Sequence, residues 1–161
     1  MTHIERTIEI SAEPATVWSI VSELEQVSEW NPGVTSATCP ANARGSVGLG
    51  TARRCDLAQG GSIDEVVTQW VEGREIGVAI GSHGGIRSAD MGMTLVPSVA
   101  GTRVVAGADY HLAYGPLGPV IDRIVVKRSM GRMLEVGLAG LKEHIESTPV
   151  GPADKQGRVI T

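Results

Sequence analysis

Residues 102–146 read TRVVAGADYHLAYGPLGPVIDRIVVKRSMGRMLEVGLAGLKEHIE, and the two parts of this stretch follow two different periods. Val104, Ala106, Ala108, Tyr110, Leu112 and Tyr114 alternate with a set that includes Arg103, Asp109 and His111. That period of two predicts a strand with one apolar and one wet face. Beyond the turn chemistry of Gly115-Pro116-Leu117-Gly118-Pro119 the apolar row becomes Leu117, Ile121, Ile124, Gly131, Leu134, Leu138, Leu141 and Ile145. Its steps are three, four or their sum, and only Arg128 interrupts it, which predicts a helix running to about Glu146. At ~1.5 Å per residue, about 28 residues span ~42 Å. Such a helix is too long for the core of a compact bundle and suits the concave side of a bent sheet.

Upstream of this stretch, Ile4, Ile8 and Ile10 alternate with polar residues in a first strand, with Arg6 the exception on the apolar side. Glu13-Pro14 opens a short helix, possible because proline is tolerated in a first turn. Val17, Trp18, Val21 and Leu24 share one face of it, and Trp30-Asn31-Pro32-Gly33 stops it. Further strands are predicted at 34–39, 50–58, 62–71, 75–81 and 86–96, separated by short Gly- and Pro-containing turns. Links this short favour an antiparallel meander over crossovers.

Composition limits the function classes. The 161 residues suit one domain, expected at 1–147, with a loosely attached tail at 148–161 that lacks apolar periodicity. A net charge of -4, with 14 scattered Lys and Arg, offers no electrostatic footprint for nucleic acid or anionic lipid. No apolar run approaches the ~18 residues of a membrane span, and the start of the chain lacks a basic-then-apolar leader, so stable membrane insertion is not expected and the cytoplasm is. Cys39 and Cys55 are read as two reduced, structural thiols. With 21 Gly and no Phe, the interior must be lined by Val, Ile, Leu, Met and Ala, an economy of bulk that suits either a ligand cavity or a composition bias.

The element order, one strand, a short helix, six antiparallel strands and a long terminal helix, resembles that of the START-like (SRPBCC) superfamily, which includes polyketide cyclases, plant pollen allergens and lipid carriers. Local stretches sharpen the likeness. Ser11-Ala12-Glu13-Pro14-Ala15-Thr16-Val17-Trp18 resembles the strand-to-helix entry of bacterial members, Glu29-Trp30-Asn31-Pro32 their helix exit, and Tyr114-Gly115-Pro116-Leu117-Gly118 the turn before their last helix. Thr102-Arg103-Val104, just after a glycine, is similar to the start of their final strand. The match covers about residues 3–146 and is nearest the bacterial polyketide cyclase/dehydrase group. It implies an α+β helix-grip fold: a curved antiparallel sheet of about seven strands wrapped around the long C-terminal helix, with one or two short helices after strand one. An internal cavity for a small hydrophobic molecule comes with that fold.

The sequence carries no constellation that names a reaction. Gly45-Ser46-Val47-Gly48-Leu49-Gly50 has the spacing GxxGxG with no following Lys or helix, so it is neither a dinucleotide nor a P-loop fingerprint. Ser82-His83 lacks the Gly two residues before a nucleophile elbow. His3, His83, His111 and His144 share no metal-ligand spacing, and neither a metal nor a cofactor is expected.

The polar residues able to project into a cavity are Arg53 or Arg54, Asp64 or Glu65, Tyr110, Tyr114 and Arg128. Parity stays open because a β-bulge shifts it by one. Arg53, Glu65 and Tyr110 are the catalytic candidates. The ligand-binding set is Trp18, Arg53, Glu65, Ile80, Met91, Met93, Tyr110, Tyr114, Arg128 and Leu134. Three functions compete: a carrier of a lipid- or polyketide-like molecule; a cyclase, aromatase or dehydratase acting in the same cavity; and a protein-interaction or stress-regulatory module. The expected partner is a small hydrophobic molecule and the expected state a monomer or weak homodimer.

Overall fold

A computed structural model describes residues 1–40, 47–113, 115, 120 and 125–148. Tyr114, Leu117, Ile121, Ile124 and the tail from 149 onward, all read above from sequence, lie outside the described residues.

The alternating first segment forms β1 (Thr2–Ile10). Pro14 sits in the first turn of α1 (Pro14–Val21), a 3-10 turn follows at Leu24–Gln26, and α2 (Val27–Trp30) ends where the Asn31 side chain accepts the Gly33 N–H at 3.0 Å. Six strands succeed one another: β2 (Val34–Thr38), β3 (Ala52–Leu57), β4 (Ser62–Val71), β5 (Glu75–Ile80), β6 (Ile86–Ser98) and β7 (Gly101–Leu112). They form one antiparallel sheet in the order β1-β7-β6-β5-β4-β3-β2. The terminal helix α3 is described over Lys127–Ser147.

β1 and β2 are consecutive strands yet form opposite edges of this sheet. Six strand spacings of ~4.8 Å make roughly 29 Å if flat. The short helical segment between them has about that reach when its pieces run end to end, and bending the sheet brings the edges within it. The helix-grip hollow is thus a consequence of chain connectivity.

Register sorts the side chains onto two faces. Ile4 lies opposite Ala108, Ile8 opposite Val104 and Ile10 opposite Thr102, and these six share the concave side with Tyr110. On α3, Met130, Gly131, Leu134, Gly137, Leu138, Leu141 and Ile145 are buried, and the helix packs chiefly on β1, with α2 and β7 beside it. Burying one such Leu or Ile contributes about 2 kcal/mol. Arg6, the residue that breaks the apolar alternation of β1, also points to this side. Its Nε donates to Glu135 on α3 at 2.7 Å, and its guanidinium lies over Gly131, where an added Cβ would come within 2.5 Å of Nη2.

Two seams fix the ends. At Gly101 φ is +133°, and a Cβ there would meet the Ile10 carbonyl at 2.5 Å, so only glycine lets β7 begin against the exit of β1. Thr102 Oγ1 then donates to the Ala12 carbonyl at 2.6 Å. The second seam is ionic: Lys142 Nζ donates to the Glu9 carbonyl and to Glu146, both at 2.7 Å, while Glu146 accepts the Ser11 N–H at 2.9 Å.

Hydrogen bonds from Ser98 and then Arg103 hold the Glu9 carboxyl below its ordinary pKa of 4.5, and those from Lys142 and Ser11 do the same for Glu146. A depressed folded-state pKa gives stability that is complete above the unfolded value and is lost as pH falls through the folded one. The urea midpoint is therefore expected to drop between about pH 6 and pH 3, and Glu9→Gln with Glu146→Gln should flatten that drop. A pH profile unchanged in the double variant contradicts this seam.

Candidate functional site

The cross-strand register places four of the sequence candidates in a single row on the concave face. Arg53 on β3 faces Glu65 on β4, Glu65 faces Ile80 on β5, Ile80 faces Ala89 on β6, and Ala89 faces Tyr110 on β7. The next row is Val67, Val78, Met91, Ala108 and Ile4, and the one after it Trp70, Ile76, Met93, Ala106 and Arg6. Trp70 reaches this face only because the β4–β5 register shifts between Val67 and Gln69. Strict alternation from Glu65 and Val67 sends it outward, and the sequence analysis did not name it. Ile76 and Val78 were readable from their alternation with Ile80.

The rows are not equally filled. Over β7 the interior is closed: Val104 and Ala108 are 0% exposed, Tyr110 1% and Ala106 4%. Ile76, Val78 and Ile80 on β5 and Met91 and Met93 on β6 point to the same side and are only half-buried. Helix α3 packs on β1 and β7, away from these five residues, whereas Glu65 and Val67 on β4 are buried. This half-buried surface is apolar, made of two methionines, two isoleucines and a valine. Methionine's flexible, polarizable chain adapts such a surface to varied shapes.

One rim is built from two tryptophans. Trp18 on α1 and Trp70 meet edge to face with ring centres 5.1 Å apart, a favourable aromatic geometry. Glu72, in the turn after β4, accepts both indole N–H groups at 2.9 Å. Sequence reading took Glu72 for an ordinary turn residue. Glu72→Ala removes the common acceptor and is expected to cost about 2 kcal/mol, two charge-assisted bonds at a net ~1 each, and to shift tryptophan emission to the red. An unchanged spectrum contradicts the clamp.

At the opposite rim stands a buried ion pair. Arg53 donates through Nε at 2.8 Å and through Nη2 to the same Glu65 carboxylate oxygen, and through Nη1 to the Leu24 carbonyl at 3.0 Å. Their side chains are 12% and 8% exposed. Cys55 adds a weak S–H contact to Glu65, and burial, then the Glu65 charge, push its thiol up to about 12. That thiol is inert as a nucleophile at neutral pH. Arg54 and Asp64, the alternative parity, pair on the exposed outer face at 3.0 Å.

The remaining candidates do not join that row. Leu134 is buried on α3 and Arg128 is exposed at the start of that helix, while Tyr114 lies outside the described residues. Glu65 and Tyr110 stand three strands apart, ~14 Å along the sheet. His83 sits in the β5–β6 turn and His111 is exposed. Among the described residues no group of three or more His, Cys, Asp or Glu is placed to hold a metal ion, and no helix is long and apolar enough to cross a membrane.

The glycines of the sheet centre do not form the hollow. Gly77, Gly92 and Gly107 face one another in a row on the outer side, flooring an open trough of about 300 Å³ edged by Glu5, Asp90 and Asp109. The less covered part of the concave side lies at Ile76, Val78, Ile80, Met91 and Met93, away from where α3 packs.

A seven-stranded antiparallel sheet with short helices after its first strand and a long terminal helix packed on it defines the START-like class. Residues 1–146 match the family described as polyketide cyclase/dehydrase and lipid transport, and the chain belongs to that family. Among solved structures it is similar to a protein from Thermus thermophilus, with 22% identity, a TM-score of 0.73 and coverage of 92% of this chain and 99% of that one. It is also similar to a START superfamily protein from Mycobacterium smegmatis, with 22% identity, a TM-score of 0.70 and coverage of 89% and 97%. Ara h 8.0201 is a more distant likeness, at 15% identity, a TM-score of 0.61 and coverage of 87% and 97%. At such identities the likeness is one of fold. No functionally curated protein matches the sequence significantly.

Proposed function

We propose that the protein holds a small hydrophobic molecule, lipid- or polyketide-like, in a hollow over β5 and β6 and carries it without changing it. The observation that carries this reading is the uneven burial of the concave face. Five apolar side chains that the register turns inward on β5 and β6 stay half-buried, while their neighbours on β7 are sealed. A largely apolar pocket with few polar groups is how small ligands are usually accommodated. Holding requires no cofactor and no metal. In this reading residues 1–147 work as one unit, as a monomer or weak homodimer in the cytoplasm.

The second reading, a cyclase or dehydratase, draws on the row that joins Arg53 and Glu65 to Tyr110. Three donor sites of Arg53 are already committed to Glu65 and Leu24, and Tyr110 is three strands from the carboxylate. A proton-transfer partner must come within about 3 Å of its substrate proton, so this spread favours carrying.

The test is binding of the neutral fluorophore N-phenyl-1-naphthylamine. Met93→Glu and Ile80→Glu each place a charge in the hollow and are expected to weaken binding at least tenfold, whereas Thr68→Glu on the outer face leaves it unchanged. Equal affinity in all three variants sinks the proposal. Turnover of a polyketide-like substrate that Tyr110→Phe abolishes, with binding retained, favours the enzyme.

A further inference from the structure

Every formally charged side chain that the described strands turn toward the concave side has a counter-charge within hydrogen-bond reach. By register these are Arg6, Arg53 and Glu65. Arg6 is bound to Glu135 of α3 and, through Nη1, to the Glu5 carbonyl at 2.8 Å. Arg53 and Glu65 neutralise each other, and the remaining bond of Arg53 runs to the Leu24 carbonyl rather than to the hollow. The inner face of α3 adds only Met130, Gly131, Leu134, Gly137, Leu138, Leu141 and Ile145.

Resting on the carrier reading, we infer that the hollow selects electrically neutral ligands, alcohols, ketones, esters or hydrocarbons, and discriminates against ionised acids of the same length. An anion entering this site sheds its hydration and meets no unbalanced cation among the residues that the described strands turn inward, Arg128 being exposed at the start of α3, and a buried charge without a partner is strongly disfavoured. A neutral oxygen loses far less. Glu65 is therefore a specificity-determining residue: its carboxylate quenches the guanidinium that would otherwise capture an acid head group.

The experiment displaces N-phenyl-1-naphthylamine from the whole chain at about pH 8 with decan-1-ol, methyl decanoate or decanoate. The ester keeps both oxygens of the acid and lacks its charge, so it separates charge from shape. Decanol and the ester are expected to displace the probe at concentrations at least tenfold below decanoate. In Glu65→Gln the released Arg53 charge should improve decanoate at least tenfold and leave decanol unchanged. Decanoate binding as tightly as the ester to the wild-type chain overturns the inference and leaves the carrier reading standing. Failure of the fluorophore and all three ligands to bind overturns both. Should Glu65→Gln not fold, the three wild-type affinities decide alone.

Discussion

Gly140→Ala lowers the unfolding free energy by about 2 kcal/mol. A Cβ at this position on α3 would run into the Trp30 carbonyl oxygen and come within 2.8 Å of Pro32 Cδ. Both belong to the segment that leaves α2, and a backbone carbonyl cannot rotate aside as a side chain does. Overpacking of this kind costs about 1–3 kcal/mol or more, and the gain of ~1 kcal/mol in helix propensity on replacing Gly by Ala opposes it only partly. Gly131→Ala supplies the contrast. Its Cβ would meet the flexible end of Arg6 instead of backbone, so the propensity gain and the displacement nearly cancel, within about 1 kcal/mol. Urea unfolding of both variants checks the pair. Equal effects contradict the claim that α3 is docked on the Trp30–Pro32 backbone at one point of direct contact.

Arg53→Met is expected to cost about 3 kcal/mol. It leaves Glu65 buried without its cation and the Leu24 carbonyl without its donor, and removing one partner of a buried pair is more damaging than never having the pair. Glu65→Leu should cost a similar amount, because it strands the guanidinium. The combination of Arg53→Met with Glu65→Leu should recover most of the loss, since two apolar side chains of similar size can replace a buried pair at little net cost. A double-mutant cycle in urea measures the coupling. Additive losses would show that the two residues act separately, against the clamp between β3, β4 and the 3-10 turn.

Much of this fold was legible in the sequence because its signals are local. The alternation of β1 and β7, Pro14 at a helix start, the glycine-bearing turns around 60 and 73 and the helical period after 130 each lie within a few residues of their cause. The strand expected at 62–71 has those bounds in the structure. Long-range causes were not legible. Arg6 read as a flaw in an apolar row, and its reason, Glu135 and the bare surface of Gly131, lies more than a hundred residues away. The inward position of Trp70 depends on a one-residue register shift that the sequence does not announce. Abundant glycine suggested hollow space, yet Gly77, Gly92 and Gly107 face outward.

At the candidate site, residue types were readable and their relationships were not. Arg53 and Glu65 were named without any sign that they occupy each other. Trp18 was named without Glu72, whose two oxygens tie it to Trp70. Such pairings depend on register between strands, and no single strand's sequence states its register.

The central claim is that the inner face of β5 and β6 is an accommodating apolar surface. Its most direct test uses the five methionines as reporters. Met91 and Met93 floor the hollow, Met130 is buried at the start of α3, and Met133 and Met1 are exposed elsewhere. In a spectrum of the protein labelled with 13C at the methionine methyls, N-phenyl-1-naphthylamine should move Met91 and Met93 and leave Met133 and Met1 in place. Shifts confined to Met133 and Met1, or no shift at saturating probe, would contradict the account.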